Sequence, residues 1–118
     1  MASLKIKFRA SSTNGKRGIL YYQIIHKRII RQITTNYKLW EREWDSATDT
    51  FVIDSRSSRY TILMDIRNGV NTDIKRLRSV IANLDSQGID YTADDIVTDY
   101  FNKLEKLSFL SALMHNID

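Results

Sequence analysis

The sequence predicts an α+β fold: a small antiparallel sheet of about three strands with a basic face, then a long helix and a second amphipathic helix. Three observations lead to this prediction. Residues 1–44 alternate apolar with charged side chains and are rich in Ile, Tyr and Thr, which favour strands. Residues 58–118 repeat their apolar positions every three or four residues, as amphipathic helices do. The chain of 118 residues has no proline, which fits long uninterrupted helices.

The first strand is predicted over residues 4–10, where apolar and basic side chains alternate. A period of two is typical of a half-buried strand, so one face takes the apolar side chains. The other face takes the cations Lys5, Lys7 and Arg9. The polar segment that follows, up to Gly18, contains an Asn-Gly pair and is predicted to be a loop.

A β-hairpin is predicted over residues 19–35, where Lys27-Arg28 separates two β-prone runs. A two-residue loop would oppose Ile25 to Ile30, Gln23 to Gln32 and Tyr21 to Thr34 on one face. The other, more apolar face would carry Leu20, Tyr22, Ile24, Ile29 and Ile33, plus Arg31. Lys-Arg lacks the Gly or Asn of tight hairpin turns, so another loop length, which would reshuffle the strand faces, stays open.

A single helical turn is predicted over residues 40–45, with Trp40 and Trp44 on one side and packed under the sheet. Residues 46–57 are predicted to form a loop with a short extended stretch. Neither Trp is expected to be a ligand platform.

A long helix is predicted over residues 58–86. Its apolar stripe is Leu63, Ile66, Val70, Ile74, Leu77, Ile81 and Leu84. Gly69 is expected to weaken the middle of this helix by about 1 kcal/mol relative to Ala. Gln87-Gly88 is expected to end it, with Gly in its usual C-terminal place.

A second amphipathic helix is predicted to follow, with Thr92 as its N-cap and Asp94-Asp95 in its first turn as capping residues. Its apolar positions are Ile96, Tyr100, Phe101, Leu104, Leu107, Leu110, Met114 and Ile117. Because the pattern reaches the last residue without a stop signal, we expect either a fragment of a longer chain or a last helix that docks on a partner.

The charge of the chain is uneven. Residues 1–44 hold ten Lys and Arg against two Glu, a net charge of +8, whereas residues 45–118 hold eight against twelve acids, a net charge of −4. A concentrated positive field attracts polyanions, of which nucleic acid is the commonest in a cell. The alternative is an ordinary solvated basic surface.

Other functional classes find no support in the residues. The chain has no cysteine, which excludes a disulfide, a thiol nucleophile and a thiolate metal site, and fits the cytoplasm. His26 and His115 have no ligand-like spacing and are expected to be surface or packing residues. The sequence lacks a signal peptide and an apolar run long enough to span a membrane. We therefore predict a non-enzymatic chain without cofactor, metal or small-molecule substrate.

The candidate binding surface is the basic face of the sheet with its two loops. Its predicted DNA-binding residues are Lys5, Lys7, Arg9, Lys16, Arg17, Tyr21, Gln23, Lys27, Arg28, Arg31, Gln32 and Thr34. Cations contact phosphates and fix position, whereas Gln can bond adenine bidentately in the major groove. An ordinary solvent-facing sheet surface would also carry Lys, Gln and Thr.

These segments resemble the N-terminal arm-type DNA-binding domain of tyrosine recombinases, and among them the integrases of Bacteroides-like mobile elements. The resemblance is carried by the basic first strand, the segments Gly18–His26 and Arg28–Thr35, Lys38-Leu39 and the Glu43-Trp44-Asp45 turn. Asn36 stands where that family has Gly. The segment from Tyr91 to Val97 is similar to the connection to the family's helical core-binding domain.

The resemblance implies a three-stranded sheet that enters the major groove of arm-type sites during integration of a mobile element. It implies domains at 1–55 (arm-binding sheet), 56–90 (connecting helix) and 91–118 (start of a truncated SAM-like core-binding domain). The family's Tyr nucleophile belongs to a further catalytic domain, so Tyr91 and Tyr100 are not cast in that role. The implied partners are double-stranded DNA and other integrase protomers. An RNA-binding module and a protein-interaction or dimerisation module that uses the helices are the alternatives.

Overall fold

The computed structural model describes residues 2–115, with side chains to residue 110. Over this part of the chain the architecture is α+β, which confirms the predicted class: a three-stranded antiparallel sheet, a two-stranded ribbon and two helices. The elements are β1 (Ser3–Arg9), β2 (Gly18–His26), β3 (Ile29–Leu39), β4 (Trp44–Asp45), β5 (Thr50–Phe51), α1 (Tyr60–Ser86) and α2 (Ala93–His115).

The central strand of the sheet is β2, which pairs with β1 on one side and β3 on the other. The β2–β3 pairs include Tyr21 with Thr34, Gln23 with Gln32 and Ile25 with Ile30. This confirms the two-residue loop and its register. The register is determined by burial, because a slip of one residue would move Tyr22 and Ile24 from the core to solvent.

The hairpin turn itself departs from the usual chemistry. Lys27 and Arg28 both have positive φ, 50° and 69°, as a type I′ turn requires. Residues with a Cβ adopt this left-handed backbone at a cost of roughly 1 kcal/mol or more each. The turn forms nonetheless because its twist matches that of the strands. The apolar face of β2 then enters the core.

One face of the sheet packs on α1 and on the first half of α2, so that all three share one hydrophobic core. The most deeply buried side chains come from each of them: Leu20, Tyr22, Ile24, Leu39, Leu63, Val70, Leu77 and Ile96. On α1 the predicted stripe is confirmed, with Ile66 and Ile74 half-buried at its edges. The opposite face of the sheet is left to solvent.

Gly69 has a packing role that the sequence did not indicate. It lies inside α1, and a Cβ at this position would collide with the Tyr37 ring, whose Cζ would be 2.9 Å away. The absent side chain lets β3 approach α1. Gly88, with φ of 69°, follows the end of α1 as predicted.

The start of α2 is capped as predicted. The Asp95 N–H donates to Thr92 Oγ1 at 3.1 Å, and the Thr92 N–H donates to Asp95 Oδ2 at 2.8 Å. This reciprocal pair satisfies two N–H groups at the helix start. Asp94 instead pairs with Arg31 of β3.

The apolar pattern of α2 is only partly buried. Ile96 and Tyr100 are in the core, whereas Phe101, Leu107 and Leu110 are exposed. The predicted continuation of the helix to the last residue, including Ile117, lies outside the described residues. So do the side chains of Met114 and His115.

The Trp-containing segment differs from its prediction. A single 3-10 turn covers Glu41–Glu43, and Trp44 then enters β4 instead of continuing a helical turn. Trp44 is buried edge-on against Phe51, with ring centroids 5.1 Å apart, so its packing role is confirmed. Trp40 is only half-buried and lines a surface cavity. The turn is short because the Glu43 carbonyl accepts from the Val52 N–H at 2.9 Å and Trp44 pairs with Phe51, so neither residue continues a helix.

Two further clusters join the sheet to the helices. Tyr22 donates from its hydroxyl to Asp73 Oδ2 of α1 at 2.6 Å. Burial first, and then the Asp73 charge, raise the pKa of Tyr22, Tyr37 and Tyr100, that of Tyr100 to about 12. At the hairpin end, His26 is buried and stacks on Tyr91 with ring centroids 4.3 Å apart, a packing role.

Candidate nucleic-acid interface

The face of the sheet that points away from the helices, called the open face below, carries most of the predicted site. Strand alternation and register place seven of its residues there: Lys5, Lys7, Arg9, Tyr21, Gln23, Gln32 and Thr34. Directly opposite residues share a face, so they form rows across the three strands. The order of the sheet therefore brings together side chains that are up to 29 residues apart in the chain.

Two of the rows combine a cation with side chains that can form hydrogen bonds or stack. Lys5, Gln23 and Gln32 form one row, and Lys7, Tyr21 and Thr34 form the next. In both rows the cation is on β1, at one edge of the sheet, while the amides or the aromatic ring are on the β2–β3 ribbon. The open face is thus divided into a cationic edge and a hydrogen-bonding ribbon.

Arg9 connects the edge to the ribbon. Its Nη2 donates to Gln32 Oε1 at 2.8 Å, and its guanidinium lies 4.7 Å from the centroid of the Tyr21 ring. Because Arg can only donate, this contact assigns the Gln32 oxygen to the Arg9 side. The Gln32 amide N–H₂ is left to donate outward.

Lys7 has a partner that its sequence context does not indicate. Its Nζ lies 2.9 Å from Asp49 Oδ2, and each side chain is 31% exposed. Asp49 belongs to the turn between β4 and β5, 42 residues away along the chain. No local pattern indicated this contact, which places a carboxylate beside one cation of the site.

Arg31 stands apart from the other predicted residues. It pairs with Ile24 across the sheet and lies on the helix-facing side. Its Nε is 2.7 Å from Asp94 Oδ1, and a second bond joins Nη2 to Oδ2 at 3.3 Å. This pairing raises the pKa of Arg31 and lowers that of Asp94. The structure therefore gives Arg31 a contact with α2 and does not bring it to the open face.

The remaining cations lie at the two ends of the sheet. Lys27 and Arg28 form the exposed hairpin tip, where Lys27 Nζ is 3.1 Å from the exposed Asp90. Lys16 and Arg17 lie at the other end, in the β1–β2 loop, on a cavity of about 420 Å³. Four further residues line this cavity that the prediction did not include: Gly15, Lys38, Trp40 and Arg59.

The even spacing of Thr34 and Lys38 indicated that Lys38 lies on the open face, although the strand pairing between them is irregular. Thr34 and Lys38 are an even number of residues apart, which would place them on one face of a regular strand. The pairing shifts between Ile19 and Tyr21, where three residues of β3, Thr35 to Tyr37, oppose the single residue Leu20 of β2. Lys38 thereby becomes the neighbour of Ile19, in the row of Arg9, at the end of the open face.

The hairpin tip provides a test of the turn geometry. The double substitution Lys27→Asn with Arg28→Gly should raise the free energy of unfolding by roughly 1–2 kcal/mol, because Asn-Gly adopts positive φ readily. Urea denaturation would measure the change. The matched substitution of Lys16→Asn with Arg17→Asn removes the same charge outside the turn and should leave stability nearly unchanged. Equal stability of the two variants would contradict the strain assigned to the turn.

The residues that the structure describes offer binding chemistry. Cationic, amide and aromatic side chains are grouped on one surface, whereas no three His, Asp or Glu of the described chain come together as a metal site. Neither α1 nor α2, over its described residues, has the length and apolar character needed to cross a bilayer. Comparison of the chain with models of protein families, with curated proteins and with solved structures finds no match.

Proposed function

We propose that this chain is a duplex-DNA-binding module whose open face lies in the major groove. The observation that carries the proposal is the row of Lys5, Gln23 and Gln32, with Arg9 held beside it by Gln32. It combines groups that contact phosphates with groups that read base edges. An ordinary solvent-facing sheet has no need to keep its cations on one strand and its amide side chains on the other two.

The dimensions of the sheet support this placement. Adjacent strands are separated by about 4.8 Å, so the β2–β3 ribbon is narrow enough for a groove about 12 Å wide. With the ribbon in the groove, β1 lies toward one sugar-phosphate backbone. Lys5 and Arg9 then face phosphates while Gln23 and Gln32 face base edges.

The resemblance to arm-type domains gives this binding a biological setting. We propose that the chain is the non-catalytic, DNA-binding N-terminal region of a tyrosine recombinase that integrates a mobile element. It would hold the recombinase on accessory sites while a separate catalytic domain cuts and joins strands. Its partners would be double-stranded DNA and other protomers of the recombinase, in the cytoplasm.

Fluorescence anisotropy tests the proposal. The chain is titrated against duplex DNA from the ends of a mobile element and against a scrambled duplex, at several salt concentrations. If about six phosphates are neutralised, log K should fall with log salt at a slope near −5. Equal affinity for both duplexes would reduce the site to a general polyanion surface, and absence of binding at low salt would overturn the proposal. Competition with duplex RNA tests the RNA alternative.

Two substitutions separate positioning from base reading. Charge reversal of Lys5 with Arg9 should weaken binding to the element and the scrambled duplex alike, because phosphate contacts carry no sequence information. Gln23→Ala should instead erode the difference between the two duplexes, by roughly 1–3 kcal/mol. A uniform loss on Gln23→Ala would contradict the base-reading role.

A protein-interaction function is the second candidate, and the exposed end of α2 favours it. Leu107, Phe109 and Leu110 are 41%, 64% and 45% exposed. Large apolar side chains grouped on a surface often mark an interface. Light scattering over a range of concentrations would detect self-association, which is compatible with DNA binding.

A further inference from the structure

The cavity at the loop end of the sheet, called the basic pocket below, has an unusual lining. Its walls are formed by Gly15, Lys16, Arg17, Lys38, Trp40 and Arg59, around a volume of about 420 Å³. Four of these six residues are cations. They come from three separate parts of the chain, the β1–β2 loop, the end of β3 and the residue before α1.

One of the four charges is already compensated. Arg59 donates from Nε and Nη2 to the Glu43 carboxylate at 2.7 and 3.1 Å. Within the described side chains, Lys16, Arg17 and Lys38 form no ion pair with a carboxylate. The basic pocket thus holds three uncompensated positive charges.

The backbone of Trp40, whose ring forms the aromatic wall, is held by a buried carboxylate. The Trp40 backbone N–H donates to Glu43 Oε1 at 2.8 Å, and Glu43 itself is almost fully buried. Burial alone would raise the pKa of Glu43, but the bonds from Arg59 and Trp40 together lower it. Arg42 lies over the Trp40 ring, 5.5 Å from its centroid, and adds positive charge nearby. One buried carboxylate therefore binds the backbone of Trp40 and the side chain of Arg59, two residues that line the cavity.

Two backbone features reinforce this arrangement. Gly18 follows Arg17, and a Cβ there would collide with the Phe8 ring and the Arg9 carbonyl, so the loop enters β2 close against β1. The first turn of α1, which begins directly after Arg59, contains no acidic side chain. No acidic side chain of α1 itself therefore offsets the partial positive charge of this helix terminus.

We propose that the basic pocket binds a backbone phosphate of the DNA that occupies the open face. This rests on the proposed DNA binding and adds a specific phosphate site to it. Lys38 shares the open face with Arg9, so the pocket continues that surface at its end. In the proposed placement the β2–β3 ribbon lies along the groove and β1 lies toward one sugar-phosphate backbone. The β1–β2 loop, which carries Lys16 and Arg17, continues from the end of β1 along that same backbone.

The test compares two triple variants of the full chain that remove the same charge. The pocket variant is Lys16→Gln, Arg17→Gln, Lys38→Gln, and the control is Arg67→Gln, Lys75→Gln, Lys106→Gln, whose residues are exposed on the helices. If the one phosphate contact of the pocket is lost, the pocket variant should reduce the salt slope by about 0.9. Between about 50 and 200 mM salt it would then lose about 3.5-fold less affinity than the control does. Equal slopes for the two variants would overturn the proposal. Thermal unfolding confirms that both variants fold.

A second arm separates the pocket from DNA binding as a whole. Inorganic pyrophosphate is titrated while tryptophan fluorescence is followed; the response should disappear in Trp40→Phe, which retains Trp44, and in the pocket variant. A response to pyrophosphate without any duplex binding would support a phosphate site and overturn its DNA source. Duplex binding that the pocket variant leaves unchanged would overturn the pocket and leave the proposed function standing. No response in either arm would overturn both.

Discussion

Asp73→Ala is expected to lower the free energy of unfolding by about 3 kcal/mol, because it leaves a buried hydroxyl without its charged acceptor. Tyr22 is 1% exposed, and its hydroxyl donates to Asp73 at 2.6 Å. The charge of the same carboxylate, together with burial, raises the pKa of the Tyr37 and Tyr100 hydroxyls. Asp73 therefore joins β2, β3 and α2 to α1, and its loss affects all these contacts.

Urea denaturation measures this effect, and the helix supplies its own control. Asp65 lies on the exposed side of α1, so Asp65→Ala should change stability by less than about 0.5 kcal/mol. Tyr22→Phe, combined with Asp73→Ala in a double-mutant cycle, should give a coupling energy of roughly 1–3 kcal/mol. Similar losses from Asp73→Ala and Asp65→Ala would show that the carboxylate does not join the layers.

Gly69→Ala should destabilise the protein by about 1–3 kcal/mol, although helix propensity alone predicts a gain of about 1 kcal/mol. The sign reverses because the added methyl group would meet the Tyr37 ring, with Cζ 2.9 Å away. Retreat of the Tyr37 ring would take it out of its packing against the core and away from the Asp73 carboxylate. The sequence and the structure thus make opposite predictions for one substitution.

Two companion variants make the test decisive. Asn68→Ala, at an exposed neighbouring position, should stabilise the helix by roughly 0.5 kcal/mol through propensity alone. Adding Gly69→Ala to a Tyr37→Ala background should no longer destabilise, because the colliding ring is gone. If Gly69→Ala raises the midpoint of urea unfolding as Asn68→Ala does, the packing role of Gly69 is wrong.

The fold was predictable where buried apolar positions recur at a regular spacing along the sequence. Alternation along β1 and β2 and the stripe on α1 each require one face to be buried, and this also determined the hairpin register despite an unfavourable turn. The spacing of Trp40 and Trp44 suggests a helix, but Trp44 pairs with Phe51 in the β4–β5 ribbon and the Glu43 carbonyl accepts from the Val52 N–H. This pairing with a later segment overrides the local pattern.

The candidate site was predictable to the extent that it follows strand alternation. Lys5, Gln23 and Gln32 could be placed on one face from the sequence, because their pairing depends only on register. Contacts between distant segments have no such signal. Lys7 with Asp49, and Arg59 with Glu43, depend on how loops cross after the core has formed. The basic pocket, which joins three segments, was hidden for the same reason.

If the open face binds DNA as proposed, the pairing of Lys7 with Asp49 would make it selective toward the anions that approach it. A carboxylate tethered by the fold acts at a high effective concentration, on the order of millimolar for flexible tethers. A dilute monovalent anion cannot displace it, whereas a polyanion anchored at neighbouring cations competes at a high effective concentration of its own. Under the proposed function, Lys7 would therefore leave Asp49 for a phosphate only when the same DNA also contacts several neighbouring cations.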